Sequence, residues 1–124
     1  MREFGFLRID TDAEECSHFE QSDIAMNSSD YARPAPPLGT SEPGAAEKYV
    51  FLELPVGWVG DWHPTPVRQW LILMSGECEF ETGDGDRRRI KAGEVVMLDD
   101  LVGKGHQTRV LGDIPVRIAA IHLP

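Results

Sequence analysis

A chain of 124 residues has the size of one domain, large enough to bury a core but too short for two. Asp and Glu number 21 against 12 Lys and Arg, which gives a formal net charge of −9. Because nucleic acids and anionic membranes repel a net anion, we expect neither of them as a partner.

The cysteines and the first residues indicate a compartment. Cys16 and Cys78 have neither CxxC spacing nor the density of a disulfide-rich domain, so we expect them to be reduced. The opening residues carry Glu3 and Asp10 and no continuous apolar run, which is not typical of a signal peptide. No apolar run approaches the ~20 residues that a membrane-spanning helix needs. Together these features predict a cytoplasmic protein.

The first third of the chain contains little regular pattern. A brief helix is predicted over residues 12–19, after a short apolar opening. Residues 27–47 contain four prolines among glycines and small residues (Pro34, Pro36, Pro37 and Pro43), a density that excludes a helix and a central strand. Such a long irregular segment is usually a tail, a binding loop or an arm wrapped on a neighbour. We therefore divide the chain into an N-terminal extension with a proline-rich arm, residues 1–47, and a β domain, residues 48–124.

Strand patterns begin at Lys48 and continue to the end. In the stretch CEFET, Cys78 and Phe80 alternate with Glu79 and Glu81, the period-two pattern of a half-buried strand. The following GDGD is rich in residues that tolerate hairpin turns. Further short strands follow at regular spacing, separated by glycine-containing turns. This organisation predicts an all-β fold, either a sandwich or a small barrel.

Two glycine-bounded segments carry histidines at a recognisable spacing. Residues 57–76 resemble the first motif of the cupin superfamily, G-x5-H-x-H-x3-E-x6-G, and residues 103–110 resemble the end of the second, G-x2-H-x3-N. The resemblance covers roughly residues 48–123. It implies a double-stranded β-helix, the cupin jelly-roll barrel, whose two motif histidines point into one cavity. The corresponding positions are Gly57, His63, Thr65, Gln69, Gly76, Gly103, His106 and Val110, and Val110 stands where the family motif has an asparagine.

The departures from the family pattern concern its metal. The resemblance implies one divalent ion held by three histidines and a glutamate. Carried over by position, His63 and His106 are kept, whereas Thr65 replaces a histidine and Gln69 replaces the glutamate. A hydroxyl and a neutral amide are poorer ligands for transition metals than the groups they replace. We therefore expect no cofactor, with a degenerate site of His63, Gln69 and His106 for Zn, Ni, Fe, Mn or Cu as the alternative.

Strand alternation separates the residues that face the cavity from those that face away. If His63 and Gln69 face inward, their neighbours at even spacing do so as well, and Trp70, Ile72 and Met74 lie on the opposite face. Of the tryptophans in the first motif, Trp62 is the better candidate for stacking on a ligand. The predicted ligand-binding residues are Thr65, Gln69, Leu71, Leu73, Thr108 and Trp62. His122 is either a third cavity imidazole or a frayed C-terminal residue, and the frayed end is favoured.

A pair of histidines without metal suits proton transfer, because imidazole titrates near neutral pH. We expect a small organic substrate, with His63 and His106 as catalytic acid and base and Gln69 holding an oxygen. Isomerisation, cyclisation or elimination would fit, and this choice rests on analogy with the family. The alternatives are a non-catalytic ligand-binding or sensor cupin and a metal-dependent oxygenase with a degenerate metal site.

The resemblance also implies a homodimer, since small cupins commonly pair through their N-terminal strands. The outward apolar set Trp70, Ile72 and Met74 fits a sheet face that a second copy would bury. In that case the arm at residues 27–47 crosses onto the partner or covers the mouth of the cavity.

Overall fold

A computed structural model describes residues 4–124 and contains twelve β-strands. None of these residues is helical, which confirms the predicted all-β class. Accordingly, the described part of the chain has no helix that is long and apolar enough to cross a membrane. The strands are β1 Phe4–Thr11, β2 Ser17–Ile24, β3 Asn27–Ser29, β4 Leu38–Thr40, β5 Lys48–Leu54, β6 Val59–His63, β7 Gln69–Ser75, β8 Glu77–Glu81, β9 Arg87–Lys91, β10 Val95–Leu98, β11 His106–Leu111 and β12 Val116–His122.

The strands form two main sheets. Six strands lie in the order β2-β1-β10-β7-β12-β5, and four lie in the order β6-β11-β8-β9. The β3–β4 hairpin forms a small sheet of its own. Neighbouring strands run antiparallel except for β1 and β10, which pair in parallel. This arrangement is that of a cupin jelly roll.

The hydrophobic core combines side chains from both main sheets. Ile9, Leu73 and Val116 come from the six-stranded sheet, and Cys78 and Phe80 come from the four-stranded one. In β8 the inward Cys78 and Phe80 alternate with half-buried glutamates, as the sequence predicts. Each apolar side chain of this size contributes roughly 1.5–3 kcal/mol to folding when fully buried. The core therefore holds together the two sheets that carry the motif residues.

The predicted helix over residues 12–19 is wrong. The Asp12 side chain accepts hydrogen bonds from the backbone N–H groups of Glu14, at 2.8 Å, and Cys16, at 3.0 Å, which produces a tight turn instead of a helix. From Ser17 the chain continues as β2, which pairs along its whole length with β1. The boundary at residues 47 and 48 coincides with the start of β5, yet β1 and β2 belong to the same sheet as β5.

The segment between β2 and β5 lies on the outside. The β3–β4 hairpin pairs Asn27 with Thr40 and Ser29 with Leu38, and residues 41–47 have no regular structure. Tyr31 and Leu38 are exposed, so this arm buries little apolar surface against its own domain.

Candidate functional site

A cavity of about 330 Å³ lies between the two main sheets. That volume is at the lower end of the range for sites that hold small molecules. Its lining divides chemically into a polar group and an apolar group. The polar lining residues are His63, Thr65, Gln69, His106, Thr108 and His122, and the apolar ones are Val50, Leu52, Leu54, Trp58, Pro66, Leu71, Phe80, Leu98 and Ile118.

The two motif histidines meet because β6 and β11 are neighbours. His63 ends β6, His106 begins β11, and the two residues pair directly across the strands. Their ring centroids are 4.9 Å apart. Gly105 permits this approach, since it has a positive φ of 77° and any Cβ there would overlap the carbonyl oxygen of His63. The glycine of the second motif thus places one histidine against the other.

His106 is held by a carboxylate that the sequence analysis missed. Its Nδ1 lies 2.6 Å from Oδ2 of Asp100, and both side chains are buried. A carboxylate can only accept, so Nδ1 carries the proton and Nε2 of the neutral ring keeps a lone pair. Asp100 is fixed in turn, since its backbone oxygen accepts a 3.0 Å hydrogen bond from the N–H of Thr65. The sequence does contain a signal for this contact. Two acids follow an apolar strand directly, and the second of them, Asp100, lies six residues before His106.

His63 is oriented in the same way by a weaker partner. Its Nδ1 lies 2.6 Å from the backbone carbonyl oxygen of Asp61, which also can only accept. Nδ1 therefore carries the proton here too, and Nε2 is the ring nitrogen left for another molecule. The two histidines differ in burial, since His106 is 2% exposed and His63 is classed as exposed.

Thr65 and Gln69 lie beside the histidines and bond to each other. The Gln69 side-chain nitrogen donates to the Thr65 hydroxyl at 3.1 Å, and that hydroxyl donates to the backbone oxygen of Val67 at 2.7 Å. Both residues are buried. This chain of bonds uses one amide N–H of Gln69 and the hydroxyl proton of Thr65, and it leaves the amide oxygen and the second amide N–H of Gln69 for another molecule.

Of the other predicted ligand-binding residues, some line the cavity and some do not. Leu71 and Thr108 line the cavity, whereas Leu73 is buried in the core beyond it. Trp62 lies outside the cavity lining, and the Lys104 ammonium sits 3.9 Å from its ring centroid.

The tryptophan in the cavity wall is Trp58. Gly60 makes room for it, because a Cβ at that position would overlap the Trp58 ring. The close approach of ring and backbone is a tertiary contact that strand alternation alone does not reveal.

His122 also lines the cavity. It is the last residue of β12 and pairs with Gln69 on one side and Lys48 on the other. The favoured interpretation of His122 as a frayed end is therefore wrong, since strands flank it on both sides.

The N-terminal strands support the loop that carries His106. Ser17 is buried, and its hydroxyl donates to the Gly105 carbonyl oxygen at 2.7 Å. The Ser17 hydroxyl oxygen in turn accepts a 2.7 Å hydrogen bond from the N–H of Gly83. Nearby, Gly103 packs so closely on the carbonyl of Glu15 that no Cβ fits. Ser17 thus ties the start of β2 to two loops of the four-stranded sheet.

The donor set does not fit the divalent metal that the family implies. Both histidines donate Nδ1–H outward, an arrangement that suits metal ligands as well as bases. The third ligand is missing, since residues 4–124 contain no cluster of three His, Cys, Asp or Glu side chains that could hold an ion. The Thr65 hydroxyl and the Gln69 amide are neutral and already bonded to each other. The metal content stays a prediction, and elemental analysis of the purified protein measures it.

Two packed sheets around a cavity, with a histidine from each of two glycine-bounded motifs, define the jelly-roll class. The sequence model described as the cupin domain matches residues 50–122, more than half of the chain. The chain belongs to the cupin domain family. Among curated proteins, no sequence matches significantly.

Solved structures show distant likenesses. Protein NMB1881 of Neisseria meningitidis is 21% identical at a TM-score of 0.45, over 61% of this chain and 72% of that one. The SPY1581 protein of Streptococcus pyogenes is 14% identical at a TM-score of 0.46, over 61% of this chain and 63% of its own. The Cnp3 cupin domain of Schizosaccharomyces pombe is 14% identical at a TM-score of 0.48, over 99% of this chain and 88% of that one.

Proposed function

We propose that this cupin is an enzyme that moves a proton on a small organic substrate held in the cavity. The observation that carries the proposal is the buried pair of His106 and Asp100, joined at 2.6 Å. A buried carboxylate on Nδ1 fixes the ring and stabilises the imidazolium that forms when Nε2 takes a proton. The same arrangement makes histidine a general base in hydrolases. General acid–base catalysis of this kind typically accelerates a reaction by about 10²–10⁴.

His63 is the second member of the proposed machinery. With the rings 4.9 Å apart, a substrate at the polar end of the cavity can contact both Nε2 atoms. His106 would remove a proton from a carbon next to a carbonyl, and the resulting imidazolium would return that proton to a second atom, either directly or after passing it to Nε2 of His63. The proton count balances within the substrate, so isomerisation needs no co-reactant, and elimination or cyclisation uses the same first step.

The remaining cavity residues support binding and orientation. The amide oxygen of Gln69 faces no protein donor among its described contacts, so it can accept from a substrate hydroxyl. The apolar wall around Trp58 and Phe80 offers the apolar part of a substrate a surface to pack on.

Deuterium exchange tests the proposal without knowledge of the natural substrate. We would incubate 2-hydroxycyclohexanone, a neutral ketone with acidic C–H bonds, in D₂O with the protein and follow the loss of the C–H signals by NMR. We expect exchange above the buffer rate in the parent and a return to that rate in His106→Ala. Met74→Ala, on the exposed outer face, is the matched control that keeps full exchange. Exchange that survives His106→Ala would contradict the proposal.

A non-catalytic binding cupin is the competing function. The same cavity would then hold its ligand unchanged, so the probe would bind without exchange. An oxygenase would need the third metal ligand that the described residues lack.

A further inference from the structure

We infer that the cavity selects a neutral molecule that has an apolar body and donates a hydroxyl or N–H to the two histidines. This inference rests on the proposed function, because it takes the same cavity to be the substrate site. It adds the substrate class, which is set by hydrogen-bond direction and by charge.

The first argument is that acceptors outnumber donors where the two histidines and Gln69 converge. The Nδ1–H groups of both histidines are occupied by Asp100 and by the backbone of Asp61. One of the two Gln69 amide N–H groups is occupied by Thr65. Two Nε2 lone pairs and the Gln69 amide oxygen remain there as acceptors, against one free amide N–H, so a ligand at the histidines has to supply a donor. A ligand without one leaves these groups desolvated and unpaired, which costs about 1–3 kcal/mol for each group.

The second argument concerns charge. Among the residues that the structure describes, 4–124, no lysine or arginine lines the cavity. The two nearest cations in sequence are engaged elsewhere, since Lys104 stacks on Trp62 and Arg68 pairs with Asp99 at 3.2 Å. The buried carboxylate of Asp100 lies behind His106 and repels a second anion. A carboxylate or phosphate on the ligand would therefore be desolvated without a countercharge.

The third argument is the shape of the rest of the cavity. Trp58, Leu71, Phe80, Leu98 and Ile118 form an apolar wall around a volume of about 330 Å³. A space of this size suits a compact body such as one carbocyclic ring. The combination describes a hydroxylated ring compound, with the hydroxyl at the histidines and the ring against Trp58 and Phe80.

Binding of three matched probes tests the inference. We would titrate 2-hydroxycyclohexanone, its 2-methoxy ether and cyclohexanecarboxylate into the full-length protein at pH 8 and measure Kd by calorimetry. We expect the hydroxy ketone to bind at least ~10-fold more tightly than the ether, which corresponds to one lost hydrogen bond. We expect no binding of the carboxylate. Equal affinity for hydroxy ketone and ether, preference for the carboxylate, or no binding of the hydroxy ketone would each overturn the inference.

A variant separates this inference from the proposed reaction. His63→Ala should bring the hydroxy ketone down to the affinity of the ether, and Met74→Ala should leave both affinities unchanged. If the hydroxy ketone binds selectively but shows no deuterium exchange, the inference holds and the catalytic proposal fails. If exchange occurs with no preference for the hydroxyl over the ether, the catalytic proposal holds and this inference fails.

Discussion

Two walls of the cavity are built in opposite ways. The histidine wall consists of β6 and β11; β6 lies at the edge of its sheet, but His106 and Thr108 of β11 are buried and β11 has a strand on each side. A second wall is β5, an edge strand with one neighbour, whose cavity-lining Val50 and Leu52 are 37% and 36% exposed. The histidine wall carries the proposed chemistry, whereas β5 supplies only apolar surface. Substitutions in the two walls should therefore have very different effects.

The largest effect is expected at the closest contact of the histidine wall. Gly105→Ala places a methyl group into the His63 carbonyl at a positive φ, so we expect a loss of roughly 3 kcal/mol or more in the free energy of unfolding. Gly112→Ala is the matched control, because it has nearly the same φ with open space around it and pays only ~1–2 kcal/mol. Urea denaturation of both variants measures the difference. Equal losses would show that the contact with His63 contributes nothing.

The next effect concerns the carboxylate behind His106. Asp100→Asn removes the charge that stabilises the imidazolium, so we expect probe exchange to fall by about 10²-fold or more. Asp99→Asn alters the neighbouring acid, which pairs with Arg8 and Arg68 outside the cavity, and should leave exchange nearly intact. The ¹⁵N shifts of the His106 ring report the tautomer directly. A ring that keeps its Nδ1–H tautomer in Asp100→Asn would contradict the positioning role.

A smaller effect is expected from Cys78, which is packed behind β11 of the histidine wall. Cys78 pairs with Val110 of that strand, and burial followed by the nearby charges of Glu77 and Glu94 raises the pKa of its thiol to about 12. A raised pKa stabilises the fold while the unfolded thiol is also protonated, below about pH 9, and that contribution is lost as the pH rises from about 9 to 12. Each pH unit in this window should cost up to about 1.4 kcal/mol.

Urea denaturation between pH 8 and 10.5 under reducing conditions tests this in the parent and in Cys78→Ala. The parent should lose stability with the steeper slope, although Cys78→Ala starts lower because of its cavity. If the Cys78 thiol ionised equally well in the folded and unfolded states, the free energy of unfolding would fall with pH at the same slope in the parent and in Cys78→Ala. Cys16→Ala, at a half-buried site, serves as the control.

The smallest effect on folding is expected in the β5 wall. Phe51 is 67% exposed in the single subunit, so Phe51→Asp should change the free energy of unfolding of that subunit by no more than about 0.5 kcal/mol. We propose that the chain is a homodimer. The face of β5 that points away from the cavity and carries Phe51 would be among the surfaces that a second copy covers. On that proposal Phe51→Asp gives the mass of a monomer in light scattering at micromolar concentration. Tyr31→Asp, 77% exposed on the arm, is the control, and a monomeric parent would refute the proposal.

The histidine wall could be predicted further from the sequence than the rest of the site. Alternation in β8 is a local pattern that predicted the strand, and the resemblance of the two motifs to the cupin superfamily implied the meeting of His63 with His106. The role of Asp100 was not predicted, because it depends on a turn that brings Asp100 close to His106, six positions further along the chain. The place of β1 beside β10 was not predicted either, since that parallel pairing joins residues about 90 positions apart. The role of Ser17 was not predicted for a similar reason, since its partner Gly105 lies 88 positions further along the chain.

The edge position of β5 has a consequence for how molecules reach the cavity. An outer strand held by one ladder of hydrogen bonds is among the first parts of a sheet to open by local unfolding. Val50, Leu52 and Leu54 would leave the cavity together in such an opening, since they lie on one side of β5. Entry and release can then proceed through transient detachment of this strand from β12, which leaves the separate pairing of β6 with β11 intact. In hydrogen exchange, β5 amides should exchange faster than those of β11, and ligand or a second subunit should slow them.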